Sequence, residues 1–201
     1  MDLLGGKAGI TGEFKCSTLG IHILTGIIAK TSGMKTVEFA NRYLFEPLGI
    51  PAYSTFEALT AKEHQAFILS KEPKKNIWFS DPQGVGTAGY GLCLSTVDMA
   101  KIGQLCLNEG VYEGRRVVSS EWIAESTRPR MQCDDRFGNM SYGYLWWTPD
   151  SRSKAYAAIG DGGNVIYINP EQNIVVAVGA AFKPRIFDRV QFIQEYVEPM
   201  L

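Results

Sequence analysis

The last third of the chain changes rhythm, and that change limits the possible folds more than any other feature of the sequence. Residues 142–147, 155–159, 164–168 and 174–180 are short runs of β-branched, aromatic and small apolar residues that read at period two. That period is the mark of strands lying on a half-buried surface. The last two segments are joined by Asn169-Pro170-Glu171-Gln172-Asn173, a turn by composition. These segments are therefore expected to be neighbouring antiparallel strands. A closing amphipathic helix over residues 186–197 would lay Val190, Ile193 and Val197 against one face of the sheet.

Before that point the period is helical. Residues 19–30 place Leu19, Ile23, Ile27, Leu24 and Ile28 on one side, with Ser32-Gly33 as a stop, which predicts a buried helix. A second helix over residues 36–45 must end before Pro47, which cannot continue the hydrogen-bond ladder. Residues 52–80 carry no clear pattern beyond a short helix at 61–69 and a polar Lys71-Glu72-Pro73-Lys74-Lys75 loop. The glycine-rich block 84–91 offers close backbone approach rather than regular structure. Ser95 and Asp98 then resemble a capping box, opening a helix with Met99, Ile102, Leu105 and Cys106 on its apolar stripe. A hairpin-like turn over 110–118 and a helix capped by Ser119 or Ser120 complete this part. Helices, then a meander, then a helix make an α+β chain rather than alternating βαβ units.

Composition excludes several functions. Twenty Lys and Arg balance 21 Asp and Glu with no dense basic run, so nucleic acid is not an expected partner. The longest apolar stretch, residues 21–29, is far short of the roughly 20 needed to span a bilayer. The four cysteines, Cys16, Cys93, Cys106 and Cys133, form no C-x-x-C pair, and with only two histidines no metal site or cofactor is expected. The first residues have neither a basic nor a continuous apolar region, so no signal peptide is read; the compartment stays open, with the cytoplasm favoured.

Several blocks, in order, resemble one family. Gly12-Glu13-Phe14-Lys15-Cys16-Ser17-Thr18 followed by His22-Ile23-Leu24-Thr25-Gly26 is similar to the second motif, G-x-x-F-x-Y-S-N/T … L-L-G, of serine β-lactamase-like hydrolases. That group contains class C β-lactamases, D-alanyl-D-alanine carboxypeptidases and related esterases. Phe45-Glu46-Pro47-Leu48-Gly49-Ile50 resembles the family's I-F-x-P-L-G-M helix exit. Gly89-Tyr90-Gly91-Leu92 with Ser95-Thr96-Val97-Asp98-Met99-Ala100 resembles G-G-x-G-L-x-S-T-x-D-M-A, and Trp122 echoes a W-V helix. Gly160-Asp161-Gly162-Gly163-Asn164 resembles the strand bearing the third motif, Lys/His-Thr/Ser/Gly-Gly.

The resemblance implies a β-lactamase-like fold lacking its N-terminal part, with a mostly helical region at about 12–135 and strands plus a helix at about 140–201. It implies acyl transfer on an amide or ester in a small-molecule or peptide substrate. A serine hydroxyl is a poor nucleophile at neutral pH, so the family pairs it with a lysine one helical turn on, in S-x-x-K. A tyrosine or serine of the second motif shuttles the proton, and a strand-edge N–H helps hold the oxyanion.

The departures are as informative. Only 15 residues precede Cys16, which leaves no room upstream for the S-x-x-K helix. Two such strings occur elsewhere, Ser32-Gly33-Met34-Lys35 and Ser151-Arg152-Ser153-Lys154, but neither precedes an apolar helix. Cys16 stands at the family's tyrosine, where a thiol is shorter than a phenol and bonds weakly. Its use as a nucleophile is an alternative that only His22 could support; His22 reads first as a packed helix residue and His64 as a surface one. Asp161 replaces a cation, which disfavours carboxylate-bearing β-lactams. The resemblance thus assigns substrate binding to Thr18, Asp161, Gly162, Gly163 and Asn164, with the Asn164 N–H as oxyanion donor. It leaves the nucleophile serine and lysine absent, the chain expected to be inactive, and a non-catalytic relative binding a peptide or cell-wall ligand as the alternative. An uncovered sheet edge would favour self-association.

Overall fold

The computed structural model describes residues 17–70, 74–133, 137–138, 140–149, 154–160, 162–180 and 188–201. The chain folds as two compact units, Met1–Leu94 and Ser95–Leu201.

In the first unit, helix α1 (Thr18–Ser32) begins where Ser17 Oγ accepts the Gly20 N–H and ends at Gly33, whose φ of 69° closes it in the left-handed conformation. Its apolar stripe is real, but its burial is not. Leu19, Ile23, Leu24 and Ile27 are 44–51% exposed, and Thr25 is the helix residue that is buried. Periodicity marks which residues share a face; it does not supply the layer that would cover them.

Helix α2 (Thr36–Ala40) runs on through a π turn (Asn41–Phe45) and a 3₁₀ turn (Glu46–Leu48) around Pro47. Val37, Ala40, Phe45 and Leu48 point into the unit's core with Ile50, Tyr53 and Phe79. The Asn41 amide clamps the next segment, donating to the Tyr53 carbonyl and accepting its N–H, both at 2.9 Å.

Strands β1 (Ser54–Glu57) and β2 (Ile77–Ser80) pair in parallel and are joined through helix α3 (Ala61–Leu69). This is a β-α-β unit within a chain whose overall order is α+β. Helix α3 falls on the short helix expected at 61–69 and opens with a capping box, Thr60 with Glu63. The strands were not legible, because STFE and IWFS are too short to show a period.

The second unit opens with helix α4 (Thr96–Leu107), capped by Ser95 Oγ, which accepts the Asp98 N–H at 3.1 Å. The Asp98 carboxylate accepts from the Ser95 hydroxyl at 2.7 Å, so the shorter aspartate closes the cap through the side chain. The hairpin β3 (Val111–Tyr112) and β4 (Arg115–Arg116) follows, then helix α5 (Ser120–Thr127), capped by Ser119.

The rest is a six-stranded antiparallel meander: β5 (Met131–Gln132), β6 (Ser141–Tyr142), β7 (Trp147–Thr148), β8 (Tyr156–Ile159), β9 (Val165–Asn169) and β10 (Ile174–Val178), each beside its predecessor. Residues 142–147 are therefore not one strand. Leu145 takes a left-handed φ of 67° and Gly143 N–H bonds to the Trp146 carbonyl, folding the aromatic run into a turn. Tyr142 and Trp147 then meet edge-on across it, at 4.5 Å.

Register divides this sheet's faces. Ala157, Val165, Tyr167, Val176 and Val178 share one face and pack with Val190 and Ile193 of the closing helix α6 (Asp188–Phe192) and its π turn (Ile193–Val197). Tyr156, Ile166, Ile168 and Val175 share the other, on which α4 lies at Gly103.

Cys106 is buried on α4, and burial pushes its thiol up to about 12. A raised folded-state value stabilises the fold below the unfolded thiol's range of about 8.5 and is lost as pH climbs toward the folded value. Each such group steepens the loss by about 1.4 kcal/mol per pH unit in that window. We expect urea unfolding at pH 9, 10 and 11 to show this slope, and Cys106→Ala to lower it by about that amount. An unchanged slope in the variant would place the thiol in water.

Candidate functional site

In the first unit, the start of α1 and the glycine-rich block close on each other. A Cβ at Gly89 would lie 2.5 Å from the Thr18 methyl, so only glycine lets the loop sit there. His22 fixes that loop. Its Nδ1 accepts the N–H groups of Ala88 and Gly89 at 3.0 and 3.3 Å. A ring nitrogen that accepts carries no proton, so the proton sits on Nε2. His22 is a packed, hydrogen-bonded helix residue, as the sequence suggests, with its Nδ1 already engaged by the backbone.

His64 differs from its reading as a surface residue. It is half-buried, packs on Phe79 with ring centroids 5.0 Å apart, and its Nε2 lies 3.1 Å from the Tyr90 hydroxyl. Tyr90 in turn meets the His22 ring edge-on at 5.4 Å. Burial pushes the Tyr90 phenol above its ordinary value, so it stays protonated at neutral pH. Tyr90 and His64 form a hydrogen-bonding pair from segments that no local spacing joins.

The string Ser32-Gly33-Met34-Lys35 is a helix end. Ser32 Oγ donates to the Ile28 carbonyl at 2.6 Å and accepts the Met34 N–H at 3.2 Å. The left-handed Gly33 lies between Ser32 and Lys35, so the two are not one turn apart on a helix as S-x-x-K requires. Its lysine stem packs on Gly84 instead. Ser151 lies outside the described residues, and Lys154 is exposed.

In the second unit, the turn between β8 and β9 carries three of the residues assigned to substrate. Gly163 N–H turns inward to the Gly160 carbonyl at 2.8 Å, and Gly160 N–H bonds to the Asn164 carbonyl at 2.9 Å. The Asn164 side chain accepts the Ala180 N–H at 3.0 Å, tying the turn to the end of β10. Gly163 sits at a φ of 86°, a conformation that other residues seldom adopt.

A Cβ on Gly163 would also fall 2.5 Å from Cζ of Arg189. The guanidinium thus lies against the bare backbone of the turn, delivered by α6 from across the sheet. The sequence reading missed Arg189, because nothing local links a helix basic residue to a turn more than twenty positions earlier. It places a cation where the substitution at Asp161 had suggested none. Cys16 and Asp161 themselves lie outside the described residues. Thr18 belongs to one unit, and Gly162, Gly163 and Asn164 to the other. Among the described residues no group of three or more His, Cys, Asp or Glu could hold a metal, and no helix is long and apolar enough to cross a membrane.

Known proteins resemble the chain in sequence and fold. The chain is 25% identical over 175 residues to the 6-aminohexanoate-dimer hydrolase of Paenarthrobacter ureafaciens, covering 84% of this chain and 39% of that protein. A Bacillus anthracis structure provisionally named for the same activity superposes with a TM-score of 0.68 at 18% identity, over 98% of this chain and 46% of that one. Simvastatin synthase from Aspergillus terreus shares the fold at a TM-score of 0.58 and 11% identity, over 89% of this chain and 52% of its own. The chain thus spans about half the length, or less, of these relatives. The family described as Beta-lactamase matches residues 12–191. With nine-tenths of its length inside that match, the chain belongs to the β-lactamase family.

Proposed function

We propose that this chain is the C-terminal portion of a serine hydrolase that acts by acyl transfer on an amide or ester, and that as this chain it does not turn over. The observation that carries the reading is the β8–β9 turn, a bare glycine backbone opening a buried strand with a guanidinium against it. In this reading the Asn164 N–H donates to the oxyanion, and Gly162 and Gly163 keep the strand edge open to the acyl group. Arg189 supplies the charge to orient a substrate carboxylate. A linear amide bearing a free carboxylate fits that set, in keeping with the relative named for the 6-aminohexanoate dimer.

The missing turnover follows from the chemistry of the nucleophile. Among the described residues no serine stands one helical turn before a lysine on an apolar helix, and the Ser32 hydroxyl is spent on its own helix end. Cys16 at the tyrosine position weakens proton shuttling further. We expect nitrocefin and p-nitrophenyl butyrate to give no rate above a heat-denatured blank, and a fluorophosphonate to leave the chain unlabelled. Turnover that survives in Cys16→Ala would overturn this; turnover lost in that variant would move the role to the thiol. The same substitutions favour a second reading, a non-catalytic relative that binds a peptide or cell-wall ligand. Saturable binding of a carboxylated amide without hydrolysis distinguishes it. Self-association belongs to this proposal too: among the described strands β10 ends the sheet with Ile-Val-Val-Ala-Val, an edge without charge or proline.

A further inference from the structure

The chain holds two histidines, and both reach one three-residue loop from different helices. His22 of α1 accepts the Ala88 and Gly89 N–H groups at Nδ1, while Nε2 of His64 on α3 meets the Tyr90 hydroxyl. The root of that loop is pinned elsewhere. On β2, Phe79 accepts the Thr87 N–H at 2.9 Å and donates its own N–H to the Gly91 carbonyl at 3.0 Å. The Thr87 hydroxyl donates to the Tyr90 carbonyl at 2.6 Å, which closes the turn on itself. Residues 88–90 are thus a tip rooted on β2, and the hydrogen bonds that tie it to α1 among the described residues both end on one imidazole nitrogen. The tip lies over the start of α1, where a Cβ at Gly89 would fall 2.5 Å from the Thr18 methyl.

That nitrogen can take a proton. A backbone carbonyl in its place would accept at any ordinary pH, but Nδ1 accepts only while it is bare. Once protonated it is a third donor facing two N–H groups, and both bonds are lost. The contact at His64 responds differently, because a phenol oxygen accepts as well as donates and an imidazolium there still bonds Tyr90. Histidine ordinarily changes charge between about pH 5 and 8, so the event falls within a physiological range.

The groups facing His22 do not offset the added charge. Tyr90, edge-on at 5.4 Å, is kept protonated by burial, and His64 behind it is itself a base. On α1 the flanking Thr18 and Thr25 are uncharged. On α2, which packs on α1, Glu38 accepts the Lys35 N–H of its own cap at 3.2 Å. Neither histidine joins an ion pair among the described residues.

We propose that His22 is a proton-operated latch: bare at Nδ1 it holds the 88–90 tip down over Thr18, and protonated it lets the tip lift from α1 while His64 keeps Tyr90. The latch rests on this geometry and not on the hydrolase reading, under which acid would also uncover a residue assigned to substrate. The lifted tip leaves His22 free to bind one proton more than the closed one, so the lifted fraction rises as pH falls, by at most about tenfold per pH unit.

NMR on the whole chain between about pH 8 and about pH 5 tests it. Long-range correlation of the ring nitrogens should show His22 protonated at Nε2 alone at the upper end. The Ala88 and Gly89 amide shifts should follow the His22 ring along one titration curve, with exchange protection falling about 2- to 12-fold, the worth of one hydrogen bond each. Gly20 on the same helix, whose N–H goes to the Ser17 hydroxyl at 3.3 Å, should keep its protection, since that acceptor does not titrate. His22→Asn, with an amide oxygen near the place of Nδ1 and no proton to gain, should remove the response; His64→Gln should leave it. Ala88 and Gly89 amides that ignore the His22 titration would overturn the proposal. So would a response that survives in His22→Asn or vanishes in His64→Gln. Equal loss at Gly20 would overturn it as well, because α1 would then be fraying as a whole.

Discussion

Gly103→Val is expected to lower the unfolding free energy by about 3 kcal/mol or more, read as a fall in the urea midpoint with little change in slope. Gly103 is the point at which α4 lies on the sheet. A Cβ there would sit 2.5 Å from Val175 Cγ1 and 3.0 Å from Ile166 Cγ2. Both neighbours are short, branched and stiff, so they have no flexible end to move aside. Nor can the strands retreat, because the opposite face of β9 and β10 is packed against Val190 and Ile193. The helix must lift, opening gaps along the apolar stripe that holds Leu105 and Cys106. Gly103→Ala is expected to cost less, since about 1 kcal/mol of helix propensity is recovered against a smaller clash. A midpoint for the valine variant equal to the parent's would mean that α4 stands farther off the sheet.

What the sequence could and could not disclose follows the range of each interaction. Helices α4 and α5 were legible because Ser95 and Ser119 act on N–H groups three residues away. The meander was legible because short β-branched and aromatic runs alternate with turn residues, and Val165 to Asn169, buried throughout, is such a run. Failures came where an outcome depends on what lies opposite. The stripe of α1 reads as buried, yet Ile23 and Ile27 are exposed. The aromatic run at 142–147 reads as one strand, yet the left-handed Leu145 breaks it. The same holds at the candidate site. The glycines of the third-motif block could be read directly, whereas Arg189 against Gly163 and Tyr90 beside His64 are meetings of distant segments that no local spacing records.

Glu198→Leu should destabilise the second unit by about 2–6 kcal/mol, because one carboxylate oxygen serves two buried donors. The Tyr167 hydroxyl and the Asn169 amide both donate to Glu198 Oε1, each at 2.7 Å. Tyr167 is fully buried and Asn169 is 4% exposed, so neither gains water when the acceptor goes. Burial first, and then the hydrogen bond and charge of Glu198, push the Tyr167 phenol above its ordinary value, keeping it a donor at neutral pH. Asn169 carries the loss further. Its Oδ1 accepts the N–H groups of Glu171 and Gln172, so a released side chain also loosens the β9–β10 turn. Glu198→Gln retains an acceptor oxygen and should recover more than half of the loss. Removing the Tyr167 hydroxyl should cost less when Glu198 is already gone, giving Tyr167→Phe and Glu198→Leu a coupling of about 1–3 kcal/mol in a double-mutant cycle of urea unfolding. Strict additivity would mean that the two side chains do not meet, and the C-terminal turn would then be held by Val190 and Ile193 alone.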